Sequence, residues 1–244
     1  MPLVGFGTWQ LRGSQAYQAV RTALEAGYRH IDTATMYRNE KETGRAIRDS
    51  GLDRTDVFIT TKLPGEGAGR ERATLAASLR ALGTDRVDLW LVHWPPRGAS
   101  PAVWRELLAL RDEGLASAVG VSNYSIAQID ELTEATGEAP AVNQIPWSPS
   151  QHDQKELAAM RERDVVVEGY SPLKGTSLRS PVLAEIAARH GVTPAQVVLR
   201  WHVEHQITVI PKSADPGRIA ANIDLFGFSL DASEMASIDG MSGR

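Results

Sequence analysis

The chain has 244 residues, 42% of them hydrophobic, 23% charged and 6% aromatic, the profile of a folded globular protein rather than a disordered or fibrous one. Lys and Arg total 26 against 30 Asp and Glu, a net charge of -4 that offers no basic surplus for nucleic acid, and the absence of cysteine excludes disulfides and thiolate metal sites. No run reaches the roughly 18 apolar residues of a membrane span, and Met1-Pro2-Leu3-Val4-Gly5 lacks the basic and apolar regions of a signal peptide. The expectation is a cytoplasmic protein, a monomer, with neither nucleic acid nor membrane as partner.

Short apolar, β-branched runs recur along the chain at Leu3 to Gly7, Arg29 to Asp32, Val57 to Thr61, Val87 to Val92, Ala118 to Val121, Ala141 to Ile145, Val165 to Glu168 and Ile207 to Ile210. Several are apolar at successive positions, as strands buried on both faces of a parallel sheet are. Helical periodicity fills the intervals: Leu75, Leu79 and Leu82 share a face, as do Val103, Leu107 and Leu110. Helix starts are marked by Ser100-Pro101, Ser180-Pro181, Thr193-Pro194 and Asp215-Pro216, and helix ends by Gly27, Gly51, Gly83, Gly114, Gly137 and Gly191. The interval before the eighth run holds two helical segments, Pro181 to His190 and Pro194 to His202, one of them an insertion, and a last helix is predicted over Ala232 to Asp239. Eight strand–helix units without a low-complexity linker predict one α/β domain over residues 1–244, a (β/α)8 barrel.

In such a barrel chemistry sits where the strands end at their C-terminal side. The residues at or just past those ends are Thr8 and Trp9, Asp32 and Tyr37, Lys62, His93, Ser122 and Asn123, Gln144, Tyr170 and Ser171, and Lys212 and Ser213. Taken singly, Asp32 reads as a loop cap, Lys62 as a solvated charge, His93 as a core histidine and Tyr37 as packing. Directed into one mouth, the four make a proton donor. A cationic Lys62 favours the Tyr37 phenolate and lowers the hydroxyl pKa from near 10, Asp32 keeps the ammonium charged and in place, and His93 orients a carbonyl oxygen or relays the proton.

The segments Gly5-Phe6-Gly7-Thr8-Trp9, Gly27-Tyr28-Arg29-His30-Ile31-Asp32-Thr33-Ala34 with Tyr37, Ile59-Thr60-Thr61-Lys62, Asp88-Leu89-Trp90-Leu91-Val92-His93-Trp94-Pro95, Gly120-Val121-Ser122-Asn123, Val142-Asn143-Gln144 and Ile210-Pro211-Lys212-Ser213 resemble the aldo-keto reductase family nearly end to end. Within the family it resembles the short prokaryotic branch that includes diketogluconate reductases. The resemblance implies a catalytic tetrad of Asp32, Tyr37, Lys62 and His93, and NADPH-dependent reduction of a small-molecule aldehyde or ketone to an alcohol. It implies that Ser122, Asn123 and Gln144 bind the nicotinamide carboxamide, that Tyr170 stacks on the ring with Ser171 and Leu173 beside it, that Lys212, Ser213 and Arg218 grip the adenosine 2′-phosphate, and that Asn222 touches the adenine.

The residues of that last segment agree, since Lys212, Ser213 and the N–H groups of a helix starting at Asp215-Pro216 supply donors for a phosphate, although Lys212 and Arg218 alone also read as a solvated helix end. Gly5-Phe6-Gly7 is not a Rossmann fingerprint, and His202 and His205 lack a third ligand, so no metal is expected. The chain opens inside the family pattern, after the usual N-terminal hairpin, and closes at Arg244 soon after its last helix, so the barrel is expected to lack that hairpin and a long C-terminal loop. Ala221 stands where many relatives have a carboxylate, and Ile145-Pro146-Trp147 replaces the commoner acidic and histidine residues. The mouth is therefore expected to be open, with Trp9, Trp94 and Trp147 lining a broad substrate pocket. The same resemblance covers subunits that hold NADP and turn over slowly, which leaves a sensor module as the alternative to an enzyme.

Overall fold

A computed structural model describes residues 1–241. Strands β1 (Phe6–Gly7), β2 (His30–Asp32), β3 (Phe58–Leu63), β4 (Val87–Val92), β5 (Ala116–Ser122), β6 (Val142–Pro146), β7 (Val166–Tyr170) and β8 (Thr208–Val209) lie parallel and in chain order in one sheet. Val4 closes it, pairing in parallel with Val209: the Gly5 N–H donates to the Val209 carbonyl and the Val209 N–H to that of Leu3, each at 2.8 Å. The result is the expected α/β barrel.

Around it run α1 (Gly13–Glu25), α2 (Glu40–Asp49), α3 (Glu71–Leu82), α4 (Pro101–Asp112), α5 (Ile126–Thr136), α6 (Gln154–Arg161), α7 (Pro181–His190), α8 (Pro194–Glu204), α9 (Pro216–Ile223) and α10 (Ala232–Asp239). Leu75, Leu79 and Leu82 on α3 and Val103, Leu107 and Leu110 on α4 are buried, as their spacing requires. Of the two helices before β8, α8 packs on the strand while α7 packs on α8 and α10, so α7 is the insertion. Thr193 and Asp215 cap their helices through their side chains. Ser100 and Ser180 do not; Ser100 adopts φ 57° and its Oγ donates to the Arg97 carbonyl, leaving proline alone to start α4.

Three strand ends differ from the sequence reading in ways that bear on the site. β3 continues through Lys62 to Leu63 and β7 through Glu168 to Tyr170, so these side chains project from within strands, where neighbours on both sides fix their direction. The first strand keeps only Phe6 and Gly7 of the predicted run, because its earlier residues bridge to β8 instead. Inside the barrel Leu89, Leu91 and Val142 form a small apolar cluster, with Phe58 and Ala118 against it. His30, Thr60, Asp32, Lys62, Gln144 and Glu168 are also buried, an unusually polar set for a barrel interior.

The loop that carries Tyr37 is fastened from beneath by Asn39, which is fully buried. Its amide nitrogen donates to the carbonyls of Thr8 and Leu11, both at 2.9 Å, and its oxygen accepts from the Thr33 hydroxyl at 2.7 Å. Asn39→Leu strands the Leu11 carbonyl and the Thr33 hydroxyl, while the Thr8 carbonyl keeps the Leu11 N–H at 3.1 Å, and should destabilise the fold by about 2 to 4 kcal/mol. Urea unfolding at neutral pH checks this, and an unchanged midpoint would mean that the loop is held by other contacts.

Candidate active site

Lys62 is the buried centre of the cluster. Its Nζ donates to both carboxylate oxygens of Asp32 at 2.7 Å and to the Thr33 carbonyl at 2.9 Å. Burial alone would strip the proton from this lysine, but Asp32, with Tyr37 and Glu168 assisting, outweighs it, and the ammonium is held above its ordinary value. Tyr37 sits on a short turn, Thr35–Tyr37, that Thr35 ties to β3 through a 2.9 Å bond to the Lys62 carbonyl. The Lys62 Nζ lies 5.1 Å from the centre of the Tyr37 ring, and the His93 ring meets that ring edge to face at 5.7 Å. The four predicted residues thus converge.

Their electrostatics correct one expectation. Burial pushes the Tyr37 hydroxyl above its ordinary value, and the opposing pull of Lys62 does not reverse it. Burial thus holds Tyr37 toward its protonated form, against the pull of Lys62 toward the phenolate. Burial, with Lys62 nearby, pushes His93 down to about 3, so its imidazole is neutral and suited to orienting a polar atom.

Above the tetrad opens a cleft of about 710 Å³. Its wall includes Ser122, Asn123, Gln144, Tyr170, Ser171 and Leu173. Asn123, in the left-handed region at φ 64°, donates to the Ser122 hydroxyl at 3.0 Å and to the His93 carbonyl at 3.1 Å, and accepts from the Tyr170 hydroxyl at 2.8 Å. These groups pair with one another around a shared hollow, a donor-and-acceptor set that fits a primary amide. Trp9, Met36 and Trp94 stand at the rim, each about half exposed.

A sequence profile described as the Aldo/keto reductase family matches residues 3–242. The chain belongs to the aldo/keto reductase family. It is 42% identical over 247 residues to 2,5-diketo-D-gluconic acid reductase B of Corynebacterium sp., a match covering 97% of this chain and 88% of that protein. Among solved structures it is similar to the aldo/keto reductase of Brucella melitensis, with 41% identity, a TM-score of 0.95, and coverage of 99% of this chain and 94% of the other. A Bombyx mori aldo-keto reductase in complex with NADP is 32% identical, with a TM-score of 0.93 and coverage of 99% and 89%. This reductase is accordingly an oxidoreductase acting on carbonyl groups.

Trp147 does not join the pocket of the reductase. Its side chain is 1% exposed and it is not part of the cleft; the ring packs near His152, and its carbonyl meets the His202 ring on α8. Just past the end of β6, its backbone N–H stays paired to the Tyr170 carbonyl, which keeps the strand geometry and turns the indole away from the barrel axis. At α9, Lys212, Ser213 and Arg218 are brought together, with the Arg218 Nε donating to the Ser213 hydroxyl at 3.2 Å. The Arg218 backbone N–H is taken by the Asp215 carboxylate at 2.8 Å, so the side chains, more than the helix end, are the donors left for an anion. Lys212 lines the cleft and is exposed, while Asn222 is buried farther along α9.

One buried group escaped the sequence reading. Glu168 is fully buried between Gln144 and His30, and the signal was an acid enclosed by Val165-Val166-Val167 and Gly169, which passed as a strand terminus.

Lys62→Met would leave the Asp32 carboxylate buried without its cation, and should cost about 3 to 5 kcal/mol of stability in chemical unfolding at pH 7. His30 and His93 are both pushed down to about 3 by burial, below the value near 6.5 they have in the unfolded chain. Their contribution is complete above about pH 6.5 and is lost as pH falls toward about 3, so the melting temperature should drop across that interval. A calorimetric profile flat to about pH 4 would show that neither ring stays neutral in the fold.

Proposed function

We propose that the protein is an NADPH-dependent reductase of aldehydes and ketones in which Tyr37 is the general acid. The single observation that carries this reading is the convergence of the buried Lys62–Asp32 pair with Tyr37 and His93 at the base of a cleft walled by an amide-binding set. Ser122, Asn123 and Gln144 would hold the carboxamide of a nicotinamide, Tyr170 with Ser171 and Leu173 would flank it, and Lys212, Ser213 and Arg218 would hold a 2′-phosphate, with Asn222 nearby. When bound, the nicotinamide supplies the hydride.

The chain's own residues do the rest. Tyr37 holds the proton that the carbonyl oxygen receives, and its raised affinity keeps the acid form present at neutral pH. Lys62 places a positive charge beside the hydroxyl, which limits the charge developing there as the proton leaves. Asp32 keeps that ammonium charged and immobile. Neutral His93, edge-on to Tyr37, orients the carbonyl oxygen toward the hydroxyl. Trp9, Met36 and Trp94 offer apolar surface of no single shape, which supports broad rather than narrow substrate choice.

The test is NADPH oxidation with small, aromatic, sugar-like and steroid carbonyls, beside Tyr37→Phe. Turnover should fall at least about a hundredfold in the variant while NADPH affinity is preserved. NADPH binding with no carbonyl reduced in the parent would favour a nucleotide-sensing role, and turnover unchanged by Tyr37→Phe would remove the tyrosine from the mechanism.

A further inference from the structure

Beneath the tetrad a second carboxyl shares a donor with the first. The Gln144 Nε2 donates to Asp32 Oδ2 at 2.8 Å and to Glu168 Oε2 at 2.9 Å, so one primary amide spans two buried acids. The two acids are not equivalent. Asp32 also receives two bonds from the Lys62 ammonium, whereas the amide is the donor bonded to Glu168, whose Oε1 has no hydrogen-bond partner among the described residues. The basic atom nearest that oxygen is His30 Nε2, 3.6 Å away and already engaged with the Thr60 hydroxyl at 3.0 Å. A carboxylate closed off from water with one neutral donor is far costlier than the neutral acid, and the Asp32 charge across the shared amide adds to that cost.

Because both hydrogen bonds leave from its nitrogen, the Gln144 amide is turned with nitrogen inward, and its oxygen remains for a ligand in the cleft that Gln144 lines.

We propose that Glu168 is a positioning residue for carbonyl reduction: as a neutral acid it fixes the orientation of the Gln144 amide, and once ionised it adds a second negative charge beneath Tyr37 that keeps the tyrosine in its acid form. This rests on the reductase reading of the site. Burial, then the Asp32 charge, push the Glu168 carboxyl up to about 8, with the Gln144 bond and Lys62 opposing. The charged and titratable groups facing it are Asp32 and His30 from β2, Lys62 from β3 and Tyr37 from the loop after β2. Across β7, on its other face, His202 of α8 lies against Gly169, and burial holds it neutral, pushed down to about 4. His30 is neutral as well, so the proton that leaves Glu168 in alkaline solution goes to water and the site gains a full negative charge. That charge acts on Tyr37 in the direction that retains its proton.

Two measurements test this. In the cofactor-free protein, infrared spectroscopy should show a protonated-carboxyl band at neutral pH that disappears as pH rises through about 8, is missing in Glu168→Gln and is displaced in Glu168→Asp. Glu40 is also buried with its carboxyl pushed up by burial, and the two variants separate its band from that of Glu168. In turnover, Gln at 168 keeps an acceptor for the amide but cannot ionise. The ratio of parent to Glu168→Gln carbonyl reduction should therefore stay near one at about pH 7 and rise to about threefold by about pH 10, while alcohol oxidation, which needs the phenolate, moves the opposite way.

A general folding defect would lower both directions together. No titrating carboxyl band, or parallel pH profiles for parent and variant in both directions, would overturn the proposal. A parent that reduces no carbonyl would instead defeat the reductase reading, while the infrared result would still report on Glu168.

Discussion

Lys62 is withdrawn from water at the centre of the barrel with its charge intact, and the neighbouring polar residues are arranged to make that tolerable. An ammonium in such a place would ordinarily shed its proton; here the two oxygens of Asp32 and the Thr33 carbonyl occupy its donors. Asp32 and Thr33 come from β2 and the residue after it, Lys62 from β3, and the register that sets Asp32 beside Thr60 brings the carboxylate into the lysine's reach. Thr35 anchors the tyrosine turn to the backbone of the same lysine, so Tyr37 and its charged neighbour share one support.

The interior is layered. A few apolar residues, Leu89, Leu91 and Val142, fill one level, where Gly120 leaves no room for more: a Cβ there would lie 2.6 Å from the Val142 carbonyl and 2.8 Å from a Leu91 methyl. The polar level spans several strands. Ser122 pairs in register with Gln144, and Gln144 with Glu168, so the polar residues of the cleft wall and the carboxyl beneath Tyr37 belong to one continuous row across β5, β6 and β7. A change at any member of that row is felt by its neighbours through fixed strand geometry rather than through a flexible loop.

Much of this was legible in the sequence, for reasons that differ by residue. Buried parallel strands demand unbroken apolar runs, so Val57-Phe58-Ile59 and Leu89-Trp90-Leu91-Val92 announced themselves, and polar residues immediately following such runs pointed to Asp32, Lys62 and His93. Direction was harder to read. Trp147 follows β6 as Trp94 follows β4, yet one indole is enclosed and the other half exposed, because the choice depends on whether the backbone stays paired beyond the strand. The sign of the shift at Tyr37 was also hidden, since it balances a charge that the sequence shows against a burial that only packing reveals. Glu168 passed unnoticed because an acid in an apolar run resembles a strand boundary until its neighbours across the barrel are known.

The closure between Val4 and Val209 joins the first strand's approach to the eighth strand, and the Tyr28 hydroxyl donates to the Ile219 carbonyl between the segments that follow α1 and β8. A chain still being synthesised can pair β1 through β7 in order as they emerge, but it cannot seal the cylinder until β8 arrives. Until then it carries two unsatisfied strand edges, the feature by which sheets recruit other chains. Until the last strand docks, the open edges are the part of the sheet most able to pair with other chains.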